Sequence, residues 1–218
     1  MTLRLADPTD RDDLGAFTAR VVRLDQAAAI RLTADGGRVT AWASTPFEVL
    51  VTRSVAGELD PPEPVTAHAS SLLTALAVER AEAIDPGPPA AWVEELPPEG
   101  GWERVDEVPA AELDGLADRG LALAREHAGP MGPPASLLDQ TVLTVSPPGA
   151  GRPVTVPMRV LFAMSGMGFL GAGPGGTEEA EQGPRVRVSA SGSWTRLDAR
   201  YGAVVRHRVV SLPLLVTG

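Results

Sequence analysis

The chain contains no cysteine and no lysine. The first absence removes disulfides, thiol nucleophiles and thiolate-bound metals, so nothing points to an oxidising compartment. The second excludes a Schiff base, a phosphate-loop lysine and a Ser–Lys dyad. All nineteen basic residues are therefore arginine, in keeping with a GC-rich genome. Long apolar runs are missing too. A membrane span needs roughly 18–20 apolar residues, and the longest candidate, VTVPMRVLFAMSGMGFLGAG, is interrupted by Pro157, Arg159 and its glycines. The opening MTLRLADPTDRDDLG lacks the basic region and apolar stretch of a secretory signal. The expected location is the cytoplasm, with no membrane partner.

What the chain does have is 218 residues, 44% of them hydrophobic, enough for one large globular domain or two small ones. Its formal charge is −9, unevenly spread. Residues 1–150 carry 24 acids and 11 arginines, a balance of −13, whereas residues 151–218 carry 4 acids and 8 arginines, a balance of +4.

Periodicity predicts an α+β fold. Leu14, Phe17, Val21 and Leu24 recur at helical spacing, with Thr9 or Asp10 as the expected N-cap. Three strand-like runs follow, AAIRLT, RVTAWAS and FEVLVTRSV, the first two joined by the hairpin signal Asp35-Gly36-Gly37. AHASSLLTALAVERAEA then reads as a helix covering that three-stranded antiparallel meander. These elements make an N-terminal unit over residues 1–84. Residues 85–108 form the expected connector, whose prolines and glycines oppose regular structure. Trp92 and Trp102 are too apolar to leave in water, so the connector should be ordered and pinned by buried indoles. Residues 109–218 are expected to form a second unit, with helices over 109–129 and from Pro157 and a closing antiparallel sheet.

Chemical motifs are sparse. GAGPGGTEE has the glycines of a phosphate loop, but Glu178, Glu179 and Glu181 follow where a lysine is needed. Ser165 in AMSGM lacks the glycines two residues either side that a nucleophile elbow requires, and Met164, Met167 and Phe169 read as core. His68, His127 and His207 share no metal-ligand spacing, and Glu94–Glu95 reads as surface charge. The first twenty residues resemble the opening strand and helix of acetyltransferases of the GNAT type, yet the pyrophosphate-binding turn that should follow FEVLVTRSVAGEL is missing. No catalytic residue, metal ligand or cofactor is assigned.

The most distinctive stretch is RVRVSASGSWTRLDARYGAVVRHR, residues 185–208, with six arginines, the only tyrosine and a single acid, Asp198. Alternation makes it three antiparallel strands that set several arginines on a common side. The candidate interaction surface is Arg185, Arg187, Trp194, Arg196, Arg200, Tyr201, Arg206 and Arg208. A winged-helix reading fails because only one helix precedes the hairpin, and the isolated aromatics offer no stacking pair for RNA.

Four segments, LPPEGGWERVDEVPA, SLLDQTVLTV, VPMRVLFAMSGMGFLG and WTRLDARYGAVVRHR, resemble an uncharacterised actinobacterial protein family over about residues 96–208. The resemblance implies no activity and no site residues. The reading that follows is a non-catalytic cytosolic protein acting through protein contacts, self-association among them. The alternatives are a nucleic-acid-binding regulator using residues 185–208 and an enzyme whose site is assembled from scattered residues. In the preferred reading Arg185, Arg187, Arg206 and Arg208 pair with carboxylates.

Overall fold

The structure, a computed structural model, describes residues 1–78, 83–127, 134–147, 152–171 and 183–208. Strand β1 (Thr2–Leu5) leads into α1 (Pro8–Leu24). Asp7 caps that helix, its carboxylate accepting from the N–H groups of Thr9 and Asp10. The cap is thus not Thr9 or Asp10: Pro8 occupies the first helical position, which moves the cap one residue before it. Strands β2 (Ala29–Asp35), β3 (Arg38–Ser44) and β4 (Leu50–Asp60) form the meander. Gly36 and Gly37 between β2 and β3 have φ of 53° and 75°, the left-handed pair that a two-residue hairpin turn needs. Strand β5 (Val65–His68) runs directly into α2 (Ala69–Val78). The expected helix therefore begins later, and its first residues are a strand paired with β2.

In the second half, β6 (Glu103–Pro109) runs into α3 (Ala110–His127). Residues 103–108, expected to be connector, are thus strand, because Val105 and Val108 are buried on the helix side of the sheet. Next come α4 (Ala135–Leu138), β7 (Thr141–Val145), β8 (Val154–Pro157) and α5 (Met158–Gly166). Strands β9 (Arg185–Ser191), β10 (Trp194–Ala199) and β11 (Gly202–His207) follow. The glycine-rich stretch 172–182, the end of the helix expected at Gly129 and the turn at 148–151 lie outside the described residues.

The two expected sheets are one. Eight strands run in the order β5-β2-β3-β4-β11-β10-β9-β6, and β1 also pairs with β4. The join is antiparallel, with Thr52, Val51 and Leu50 opposite Ala203, Val204 and Val205. The order is palindromic about that join: a three-strand meander on each side, flanked by a strand that enters a helix. Strand alternation then sorts the side chains. Ile30, Ala41, Val51, Val204, Leu197 and Val188 face α1, α2, α3 and α5 and form the main core with Phe17, Leu72, Leu113 and Met164. Helix α3 meets α5 at Gly120, where an added Cβ would lie 2.4 Å from Met158 Sδ. The opposite, outer face carries a smaller cluster, Trp42, Leu50, Trp194 and Val205, against which Trp92, Leu96 and Trp102 pack.

The connector crosses this outer face. Its tryptophans are half-buried rather than fully buried, since each indole lies along the surface cluster and spends its N–H locally. Trp92 donates to Glu94 O at 2.7 Å and Trp102 to Pro98 O at 3.0 Å. The strap is anchored at its start by the pairing of Ala67 with Pro89 beside β5.

Candidate interaction site

At one end of the β4·β11 join the turn between β3 and β4 is locked by Thr45, whose N–H and hydroxyl both donate to Val49 O. Within it Glu48 adopts φ of 56°, a left-handed conformation that costs a non-glycine residue about 1–2 kcal/mol. The distortion turns Phe47 O and the Glu48 carboxylate toward Arg159, the second residue of α5. Arg159 Nη1 donates to Phe47 O at 2.9 Å and to Glu48 Oε2 at 2.5 Å. Its Nε and Nη2 both donate to Asp139 Oδ1, at 3.1 and 2.7 Å. Asp139 is placed by α4, whose C-cap it forms.

Arg159 is 6% exposed. Burial works against its charge, but the hydrogen bonds to Glu48 and Asp139 outweigh that and hold the guanidinium above its ordinary pKa. One buried cation thus ties the two halves of the chain together. Phe47 packing edge-on against Phe162, centroids 5.9 Å apart, adds an apolar tie beside it.

Beside Arg159 opens a cavity of about 550 Å³. Leu50, Val205 and Trp194 give it an apolar wall; Glu94 and Glu95 of the connector and Arg206 and His207 of β11 complete its rim. Trp194 stacks on His207 at 4.6 Å, and His207 Nε2 lies 2.7 Å from Ser193 Oγ. A second cleft, about 690 Å³, lies under the proline-rich strap, where Arg196 sits 6.0 Å from the Trp102 ring.

The residues expected to share one basic surface are dispersed. Arg185, Arg187 and Arg196 are on the outer face. Arg185 and Arg187 both approach Glu107 at 3.7 Å, and Arg196 holds Asp198 at 2.8 Å. Arg200 and Tyr201 lie in the β10–β11 turn, stacked on each other at 5.7 Å. Arg206 shares the parity of Val204, not Val205, and so points to the helix side, across the strands from Thr195. Arg208 donates to Gly192 O at 2.6 Å. Neither Arg206 nor Arg208 has a carboxylate partner among the described residues. Among the described residues of the chain, carboxylate pairing is thus seen for Arg185 and Arg187 and not for Arg206 or Arg208.

Sequence reading missed Arg159, Glu48 and Asp139. The available signal was one arginine inside VPMRVLFAMSG: a charge in an otherwise apolar helix must find partners. Among the described residues no cluster of His, Asp and Glu could hold a metal, and no helix is long and apolar enough to cross a membrane.

The fold resembles that of bacterial DNA polymerase sliding clamps. The chain is similar to Caulobacter crescentus pol III beta, with a TM-score of 0.57 at 17% identity over 95% of this chain and 65% of that one. It is similar also to DNA polymerase III subunit beta from Pseudomonas aeruginosa, with a TM-score of 0.54 at 16% identity over 90% and 62%. A putative DNA polymerase III beta subunit from Eubacterium rectale gives 0.55 at 11% identity over 97% and 65%. The chain thus spans less than two thirds of the length of each, and at these identities the likeness is one of fold. No curated protein matches it. By sequence the chain belongs to the family described as Domain of unknown function (DUF8185), matched over residues 97–211. Residues 1–95 match a second, Domain of unknown function (DUF8010). The boundary falls within the strap, yet the sheet runs unbroken from one segment into the other through β4 and β11.

Proposed function

We propose that the protein is a non-catalytic cytosolic interaction scaffold whose cavity at the β4·β11 join receives an extended segment of a partner protein. The observation that carries this reading is the cavity's construction. It has an apolar wall of Leu50, Val205 and Trp194 for contact area and a charged rim for orientation, as ligand sites generally do. Arg159, bonded to Glu48, Asp139 and Phe47 O, forms part of its lining. The sliding-clamp-like fold supports a scaffold role. Pairing with a second copy through β6, the last strand of the sheet among the described residues, is disfavoured. That edge has Glu103, Arg104 and Asp106 exposed, an irregular register between Arg104 and Asp106, and Pro109 at its end, all features that block edge pairing. This reading therefore takes the partner segment to reach the cavity rather than the β6 edge.

Random-peptide display on the intact protein tests this. Enriched peptides should bind in polarisation titrations with micromolar affinity, about −8 kcal/mol. They should lose that binding in Ser44→Trp, which fills the rim beside Glu94. Failure to enrich any peptide, or equal binding to the filled variant, would sink the reading.

A further inference from the structure

We infer that the segment seated in this cavity is of mixed charge, setting a carboxylate side chain against Arg206 and a basic side chain against Glu94 and Glu95. The inference rests on the interaction reading above and names the chemistry of its partner. The charges lining the cavity are unequally used. Arg159 is saturated by Glu48, Asp139 and Phe47 O. Arg206 is half-buried on the same rim and has no carboxylate partner among the described residues. Its cross-strand neighbour Thr195, 3% exposed, has a hydroxyl with no hydrogen-bond partner there either. A desolvated cation without a counter-charge is costly, and so is a buried hydroxyl left unpaired. Burial first, and then the charge of Arg159, pull the Arg206 guanidinium below its ordinary pKa, with Asp139 offsetting that only in part. An anion entering the cavity would relieve the deficit at Arg206, which lines it, and not that at Thr195, which does not.

The opposite wall has the reverse imbalance. The Glu94 carboxylate accepts only a 3.3 Å hydrogen bond from Ser44 Oγ among the described residues, and neither it nor Glu95 meets an arginine there. Four carboxylates against two guanidiniums make the lining net negative. That balance argues against a phosphate, whose charge of about −1.5 to −2 would be repelled where a single carboxylate is tolerated. It also favours a neighbouring lysine or arginine on the same segment, facing the strap. Charge placement of this kind selects partners more than it adds affinity.

The test uses display-selected peptides on the full chain and two variants, Arg206→Glu and the exposed double change Glu94→Lys/Glu95→Lys. Enriched peptides should carry an acid and a base at fixed spacing. Arg206→Glu should weaken them at least about tenfold, equivalent to 1.4 kcal/mol, and exchanging the peptide's acid for lysine should restore binding to that variant alone. The strap variant should instead reverse the preference at the basic position, and being on the surface it leaves the fold intact if Arg206→Glu does not. Peptides that need the cavity but show no charge pattern, or keep their affinity in both variants, would overturn the inference and leave the interaction reading standing. If no peptide binds the cavity at all, both fall.

Discussion

Arg159 shows how one side chain joins sequence-distant parts. Its partners come from the β3–β4 turn and from the end of α4, and the left-handed Glu48 is tolerated because that contact holds it. Breaking a buried ion pair costs most when the partner charge is left stranded. Here the Glu48 and Asp139 side chains are 82% and 58% exposed, so water can reclaim them. What Arg159→Ala loses is mainly the charged hydrogen bond to Phe47 O and the packing of the stem. The expected destabilisation is about 2 kcal/mol, in the range for hydrogen bonds to a charged group. Urea unfolding followed by tryptophan fluorescence measures it, and a midpoint unchanged from wild type would show the triad to be decorative. Glu48→Gly should recover part of the backbone strain while losing one partner, and so cost less than Arg159→Ala.

Among the elements, those with a strong local period could be read directly. The face of α1, the Gly36–Gly37 hairpin and the alternation in β9 and β11 all follow from residue order alone. β5, β6 and the β7–β8 hairpin were hidden. No glycine or proline separates Val65–His68 from α2, so period alone cannot divide strand from helix. β6 was obscured by the proline-rich residues before it. The β4·β11 join left no trace at all, because pairing between strands so far apart in sequence has no local signature. For the same reason the cavity was invisible, although Arg206 and Trp194 on its rim were picked out by composition. The strap supplies the matching prediction. Trp194 is 7% exposed and central to the outer cluster, so Trp194→Ala should cost about 3–5 kcal/mol, as large aromatic truncations in cores do. Trp102 lies half-exposed against the same cluster, and Trp102→Ala should cost clearly less. Limited proteolysis of wild type between residues 86 and 102 should be slow and should accelerate in both variants. Rapid cutting of the wild-type strap would mean that the indoles do not anchor it.

For the whole molecule, likeness to proteins named as DNA polymerase III beta subunits raises the question of whether this chain binds DNA. Its net charge weighs against that. The net formal charge is −9, so approach of a polyanion is opposed unless a local basic patch compensates within about a Debye length, ~8 Å in physiological salt. The helix-bearing face offers no compensation: α1 carries three acids and three arginines, and α3 carries four acids and two arginines. On the outer face Arg185 and Arg187 share Glu107, and Arg196 holds Asp198, so a phosphate there would compete with carboxylates already in place. Arg206 is turned to the other side of the sheet and into the cavity. Those outer-face cations are thus partly engaged already, whereas non-specific affinity is built from free ones, each neutralised phosphate adding its share through counterion release. Polarisation titrations with random duplex and single-stranded DNA at about 50 mM salt, the permissive end of the range, should show no saturable binding at micromolar protein. Micromolar binding that falls steeply with added salt, and that disappears when Arg185, Arg187 and Arg196 become alanine, would reverse the assignment. In that case the outer sheet face, and not the Arg206 cavity, would be the working surface of the molecule.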